Sequence, residues 1–187
     1  MSPTEPLKLG TLVGSLRQGS YNAAIARALP ALAPAGVNIA ALPSFRDVPM
    51  YDADVQAKGF PASVTALGDA IRGCHGVIIV SPEYNYSVPG VLKNAIDWLS
   101  RLPNQPFANK PIGLQSATQG PLGGARVQYH LRQIFVFLDA QVFGRPEVFV
   151  GSAQTKIDAA GTIADRATSD FIASQLKAFA EFVRRVG

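Results

Sequence analysis

The stretch from Gly14 to Asn22 contains two glycines, two serines and an arginine and opens a helical pattern. The N-terminus of a helix presents unpaired backbone N–H groups and roughly half a positive charge, which favours a bound anion such as a phosphate. The residues that could contact it are Ser15, Leu16, Arg17, Ser20, Tyr21 and Asn22. An ordinary helix start with Ser20 as the N-cap would use the same residues, and that alternative stays open.

The spacing of the glycines limits which phosphate this loop can bind. Gly14 and Gly19 match the outer glycines of G-x-x-x-x-G-K-[ST], but Ser20 stands where that motif needs a lysine for a nucleoside triphosphate. Leu16 stands where the dinucleotide motif G-x-G-x-x-G needs its second glycine. The loop therefore favours a single terminal phosphate.

Two later stretches place polar residues directly after apolar runs. Residues 81–90 follow the β-branched run 76–80, and residues 117–124 follow the apolar run 111–116. Glycines in the later stretch would let the backbone approach a flat or bulky group. The candidate contacts are Pro82, Glu83, Tyr84 and Asn85 in the first stretch, and Ser116, Ala117 and Gly120 around the second.

The elements that must position these residues follow from hydrophobic periodicity. Strands are predicted at 8–13, 37–42, 76–80, 111–116 and, in two pieces, 142–143 and 148–150. Helices are predicted at 22–33, 64–71, 88–101, 124–138 and 172–186, with Pro30 expected to kink or end the first one early and 43–59 expected as a loop. This alternation predicts one α/β domain over residues 1–187, with a doubly wound, five-stranded parallel sheet in the order 2-1-3-4-5 and helices on both faces.

In that topology, ligands lie beyond the carboxyl ends of strands 1 and 3, where the strand order reverses. The three stretches follow strands 1, 3 and 4, so they should converge on one crevice. A monophosphate at the first stretch and a planar ring between the other two describe flavin mononucleotide (FMN). Backbone N–H groups of the stretch 81–90 would hydrogen-bond the ring, and the flavin would carry the hydride and electrons itself.

No acid–base pair or nucleophile is required for such chemistry, so no catalytic side chain is expected. His75 and His130 are predicted to lie far from the three stretches, and Cys74 to close a helix, each in a structural role. The acids at positions 47, 52 and 54 are expected in a solvated loop without a metal, because no histidine joins them.

Composition argues against several other classes of protein. The 187 residues carry 17 Lys and Arg against 13 Asp and Glu, and the net charge of +4 is not gathered into a run typical of nucleic-acid binding. One cysteine excludes an internal disulfide and fits a reducing compartment. The first residues lack a signal-peptide pattern, and no apolar run has the length of a membrane span, so a cytoplasmic location is expected.

The helical segment 124–138 is apolar on more than one face, with Val127, Leu131 and Phe135 on one stripe and Tyr129 and Phe137 elsewhere. Its own sheet can cover only one face. We therefore expect a partner subunit.

Several motifs together resemble a known family. The segment Gly14-Ser15-Leu16-Arg17 with Ser20 and Asn22, the segment 82–85, Lys93 to Trp98, and the segments 123–126 and 128–132 are similar to the NADPH-dependent FMN reductase family, most of all to bacterial chromate and quinone reductases. The resemblance implies a flavodoxin-like fold, bound FMN, and NADH or NADPH as electron donor. By position, Ser15, Arg17, Ser20 and Asn22 would hold the phosphate, while 82–85 and 116–120 would line the ring.

The resemblance also implies two-electron transfer to quinones, chromate, ferric complexes or azo dyes, in homodimers or homotetramers that would associate through helices 88–101 and 124–138. A ping-pong cycle is expected, with the nicotinamide and the acceptor using one open face in turn. Arg101 and Arg126 are candidates for attracting anionic acceptors, with salt bridges at a subunit interface as the alternative.

Two other functions stay open at this stage. An electron shuttle or sensor could carry FMN without turnover, although flavodoxin shuttles are usually acidic and this chain is basic. A methyltransferase or kinase could also be built on a doubly wound sheet.

Overall fold

The computed structural model describes residues 5–187. Its strands are β1 Leu7–Val13, β2 Val37–Ala41, β3 Gly76–Val80, β4 Pro111–Ala117, β5 Gln141–Val142 and β6 Val148–Val150. Its helices are α1 Tyr21–Leu32, α2 Ala53–Gln56, α3 Ala62–Arg72, α4 Gly90–Leu99, α5 Ala125–Phe137 and α6 Arg166–Val186. None of the helices within 5–187 combines the length and apolarity needed to cross a bilayer.

The strands form one parallel sheet in the order β2-β1-β3-β4-β5, and β6 pairs with the end of β4 beyond β5. Leu9 of β1 lies opposite both Ile39 of β2 and Gly76 of β3. The predicted topology is thus confirmed, including a last strand in two pieces.

Helices cover both faces of the sheet because side chains of the buried strands alternate between them. Ile78 and Val80 of β3 face α1 and α6, where they pack with Ile25 and Phe179. Their neighbours Val77 and Ile79 belong to the cluster formed with α3, α4 and α5. Every residue of β3 is buried, which explains why its sequence is an unbroken apolar run.

Apart from shifts of one or two residues at the ends of several elements, three features differ from expectation. Pro30 lies inside α1, which continues to Leu32: the proline lacks the N–H that would bond the preceding turn, but buried Leu29 anchors the last turn. The predicted loop 43–59 contains the one-turn helix α2, capped by Asp52. Helix α6 begins at Arg166, before its apolar stripe, because Asp165 accepts hydrogen bonds from the backbone and hydroxyl of Thr168.

Candidate cofactor site

The loops after β1, β3 and β4 meet at the carboxyl edge of the sheet, as the sequence predicts. The backbone N–H of Gly14 donates to the carbonyl of Val80 at 2.8 Å, which brings the first loop against the second. A Cβ atom on Gly14 would lie only 2.5 Å from the Ser81 hydroxyl oxygen. The absence of a side chain at Gly14 therefore allows the first and second loops to pack this closely.

A cavity of about 360 Å³ lies between the three loops. It is lined by Ser15, Arg17, Ser20, Tyr21, Asn22, Pro82, Glu83, Tyr84, Ala117, Thr118 and Gln119. Leu16 and Ser116, two further predicted site residues, do not line it: Leu16 packs against the core and Ser116 is fully buried.

Helix α1 begins at the floor of this cavity. Ser20 is its N-cap and accepts a hydrogen bond from the N–H of Ala23 at 3.4 Å, and a hydroxyl in that role can still donate its own proton to a ligand. No acidic residue lies in the first turn, which leaves the positive end of the helix uncompensated. The Arg17 guanidinium lies over the Tyr21 ring, 5.8 Å from its centroid.

Two of the predicted contacts hold other parts of the protein together. The Asn22 carboxamide donates to the carbonyl of Ala117 and accepts from its N–H, both at 2.9 Å, and so ties α1 to the end of β4. The Ser116 hydroxyl donates to the carbonyl of Gly123 at 2.6 Å and accepts from Gln128 at 2.8 Å. Both side chains set the positions of the loops that line the cavity.

A second cavity of about 550 Å³ adjoins the first and shares Glu83 and Thr118 with it. Its remaining lining is Asn85, Tyr86, Gly120, Pro121, Leu122, Gly124 and Arg126. Among residues 5–187, nothing except Gly120 itself and its chain neighbours lies within 4 Å of where a Gly120 Cβ would be, so this glycine leaves open space beside the cavity. Gly124 serves packing instead, because its Cβ would lie 2.7 Å from that of Ser116.

The side chain of Glu83 is held by the first turn of helix α5. Its carboxylate accepts hydrogen bonds from the Arg126 guanidinium at 2.9 Å and from the N–H of Val127 at 3.1 Å. Tyr84 does contact the first loop, with its hydroxyl 3.4 Å from that of Ser15.

The remaining candidate residues are spread over the molecule. Arg126 lines the second cavity, whereas Arg101 lines a separate cavity between α4 and α5 and lies over the Tyr51 ring. The expectation that His130 lies far from all three loops is wrong, because its Nδ1 atom is 2.9 Å from the Ser87 hydroxyl. His130 lies on α5, and the first turn of this helix packs against the second loop.

His75 and Cys74 lie at the opposite, amino edge of the sheet. The N–H of Lys8 donates to Nδ1 of His75 at 2.9 Å. Burial raises the pKa of the Cys74 thiol, which donates to the carbonyl of Ala70 at the end of α3. A thiol kept protonated in this way suits packing better than nucleophilic chemistry.

Sequence reasoning missed Arg46, Tyr86 and Leu122. The Arg46 guanidinium donates to the carbonyl of Leu16 at 2.6 Å and so supports the first loop from the loop after β2. No local pattern marks it, although the loop after β2 does end at the same edge of the sheet. Tyr86 and Leu122 line the second cavity, and they lie in the stretches 81–90 and 117–124 whose other residues the sequence does indicate.

The two adjoining cavities fit the expected FMN. Hydroxyls, Arg17 and the α1 terminus form a donor set for a phosphate, and Glu83, the acidic residue there, is already paired with Arg126. The wider second cavity, lined by backbone, Tyr86 and Leu122, suits a planar ring. Both volumes lie within or near the range of roughly 300–1,000 Å³ typical of cofactor sites.

Comparison with known proteins agrees with this geometry. A sequence model of the family described as NADPH-dependent FMN reductase matches residues 7–155. The chain is 57% identical to a quinone reductase from Escherichia coli K12, over 98% of both chains. It is 44% identical to an NAD(P)H-dependent FMN reductase from Pseudomonas aeruginosa, again over 98% of both.

The solved structure of FerB, a flavoenzyme NAD(P)H:(acceptor) oxidoreductase from Paracoccus denitrificans, superimposes with a TM-score of 0.86. The two chains are 30% identical, and the match covers 97% of this chain and 99% of FerB. The chain belongs to the NADPH-dependent FMN reductase family, and it is an oxidoreductase with FMN as cofactor and NAD(P)H as electron donor.

Proposed function

We propose that this protein passes two electrons from NAD(P)H to quinones, and also to chromate and ferric complexes, by a ping-pong cycle. The observation that carries the proposal is the pair of adjoining cavities, one enclosed by phosphate donors and one bordered by exposed side chains. Tyr84, Tyr86 and Leu122 are about half exposed or more at this border. A ring held there would keep one face open to a second flat molecule.

The roles of the protein residues follow from their positions. Ser15, Arg17, Ser20 and the first N–H groups of α1 would bind the phosphate, and Pro82, Asn85 and the backbone near Gly120 would line the ring. FMN, when bound, supplies the redox chemistry by accepting a hydride and returning two electrons. Because the border is wide and mainly apolar, donor and acceptor would occupy the same place in turn, and acceptor choice would be loose.

Steady-state and rapid-mixing kinetics test this proposal. Initial rates at several fixed acceptor concentrations should give parallel double-reciprocal lines for a quinone and for chromate, and mixing with NADPH should bleach the flavin absorbance within one turnover time. Intersecting lines would exclude a shared site used in turn. Slow bleaching by both NADPH and NADH would instead support an electron shuttle without turnover of its own.

We also propose that the chain forms a homodimer or homotetramer through α4 and α5. Val136 and Phe137 of α5 are 77% and 88% exposed, and Tyr129 and Val91 are also exposed on these two helices. Exposed large apolar side chains grouped on one surface are typical of subunit interfaces. The cytoplasmic location expected from the sequence stays a prediction.

A further inference from the structure

The turn formed by residues 84–87 at the border of the second cavity has an unusual backbone. Tyr84 and Ser87 exchange two backbone hydrogen bonds, of 3.1 and 2.9 Å. The two residues between them are in the left-handed region, Asn85 with φ of 49° and Tyr86 with φ of 66°. Such a turn favours Asn followed by Gly, so Asn85 suits its position but Tyr86 is strained.

Burial does not compensate for this strain, because Tyr86 is 67% exposed. Its ring instead lies against the Arg126 guanidinium, whose central carbon is 3.8 Å from the ring centroid. A guanidinium at that distance from an aromatic face makes a favourable cation–π contact.

Arg126 is itself held by Glu83, the residue that directly precedes the turn. The Glu83 carboxylate accepts from Arg126 at 2.9 Å and from the Val127 N–H at 3.1 Å, and its side chain is only 9% exposed. Arg126 therefore bridges Glu83, before the turn, and Tyr86, the strained residue within it. The hydrogen bond from the Val127 N–H to Glu83 attaches this arrangement to the start of α5.

This geometry differs from that of an anion-binding arginine. Glu83 opposes the charge of Arg126 and Tyr86 covers one planar face, so the guanidinium, although its side chain is 38% exposed, is already engaged by two groups of its own chain. We propose that Arg126 is a positioning residue: by bridging Glu83 and Tyr86, it holds the turn 84–87 in the left-handed conformation that lines the cofactor cavity. The inference rests on the proposed function in placing the flavin ring beside this turn.

Amide hydrogen exchange and FMN release measure the effect of this bridge on the purified holoprotein. Arg126→Met should speed exchange at the Tyr84 and Ser87 amides and speed FMN release on dilution, each by roughly tenfold, because the binding-competent turn becomes a minor conformation. Arg126→Lys should act similarly, since an ammonium has no planar face to stack on the ring. Reduction of neutral quinone and of chromate should fall by the same factor.

A second substitution tests whether Arg126 acts through the strained residue. Glycine adopts positive φ without steric cost, so the turn in Tyr86→Gly no longer depends on the guanidinium. In that background, Arg126→Met should change exchange and FMN release far less than in the parent protein. An equal effect in both backgrounds would overturn the proposal.

Arg132→Met is the matched control. Arg132 lies on the same helix, pairs with Glu147 at 3.2 Å and lies 6.0 Å from the Tyr129 ring, but does not line either cavity of the site. This variant should leave the Tyr84 and Ser87 amides and FMN release unchanged, and an effect equal to that of Arg126→Met would overturn the inference. Loss confined to chromate reduction would do so too, by showing that Arg126 binds anions.

These readouts separate the inference from the proposed function. A parent protein that is not reduced by NADPH would contradict the proposed function, while the exchange rates of the turn amides would still decide the role of Arg126. Normal kinetics with unchanged exchange in Arg126→Met would contradict only the inference.

Discussion

At the scale of single residues, the phosphate end of the site divides into side chains that face the cavity and side chains that hold its walls. Ser15 and Arg17 face it, whereas the Asn22 side chain, which also borders the cavity, bonds the backbone of Ala117 through both its nitrogen and its oxygen. Asn22 is only 2% exposed, so its two hydrogen bonds are made away from water. Substitution of a residue that holds the cavity wall should therefore mainly lower the free energy of unfolding. Substitution of a residue that faces the cavity should mainly lower the affinity for FMN.

Arg17→Ala tests the facing group. Removing one charged contact to the phosphate should cost about 1.5–3 kcal/mol of FMN binding free energy. Isothermal titration or flavin retention after dialysis measures the loss. Arg184→Ala, which removes the same charge from the last turn of α6, should retain FMN like the parent. Equal retention in all three proteins would contradict a phosphate at this loop.

Asn22→Ala tests the wall group. The buried N–H and carbonyl of Ala117 would lose their partners, which should lower the free energy of unfolding by about 2–3 kcal/mol. Chemical denaturation followed by circular dichroism gives this value. The control is Asn38→Ala on the exposed side of β2, where little change is expected. A loss of FMN affinity without a loss of stability would show that Asn22 contacts the ligand directly.

At the scale of elements, helix termini do much of the positioning. The start of α1 points into the first cavity, and the start of α5 is held by the carboxylate of Glu83 from the second loop. The start of α6 is capped by Asp165, far from its apolar stripe. Carboxylates neutralise the starts of α5 and α6, whereas the neutral Ser20 caps α1, so the start of α1 is the one left to bind an anion.

Protonation of Asp165 should weaken the cap at the start of α6. Hydrogen bonds from the hydroxyl and the N–H of Thr168 hold the pKa of its carboxyl below the ordinary value. Because the folded pKa is lowered, the stabilisation is present above the ordinary value and is lost as the pH falls through the lowered one. The stability advantage of the parent over Asp165→Asn should therefore shrink between about pH 5 and pH 3. A constant difference in urea denaturation across this range would contradict the assignment.

At the scale of the whole molecule, one sheet brings three sequence-distant loops to one edge and leaves α5 covered on one side only. Val127, Leu131 and Phe135 of α5 are fully buried against the sheet. The opposite side of the helix carries Phe137 and Val136 into solvent. That surface is the strongest argument for association.

Phe137→Glu should shift the protein towards a smaller species in analytical ultracentrifugation, because a charge would then have to be buried at the interface. Phe171→Glu offers a matched control: Phe171 is also exposed, but it lies on α6, outside the proposed interface. An unchanged sedimentation coefficient for Phe137→Glu would place the interface elsewhere or exclude one.

Much of this architecture could be predicted from local patterns. The period of two in exposed strands, the unbroken run in β3 and the helical stripes depend on neighbouring residues, so the sequence alone determined the order of elements. The carboxyl ends of parallel strands necessarily share one edge, and the spacing of Gly14, Gly19 and Ser20 already argues against a triphosphate. The chemical class of the ligand was therefore available before the structure.

Only the tertiary structure decided which side chains face the ligand and which face one another. Asn22 meets Ala117 across 95 positions of sequence, and Glu83 meets Arg126 across 43. Arg101 and Arg126 look equivalent as residue types, yet they line different cavities. Side-chain direction depends on contacts between distant elements, and such contacts leave no trace in local periodicity.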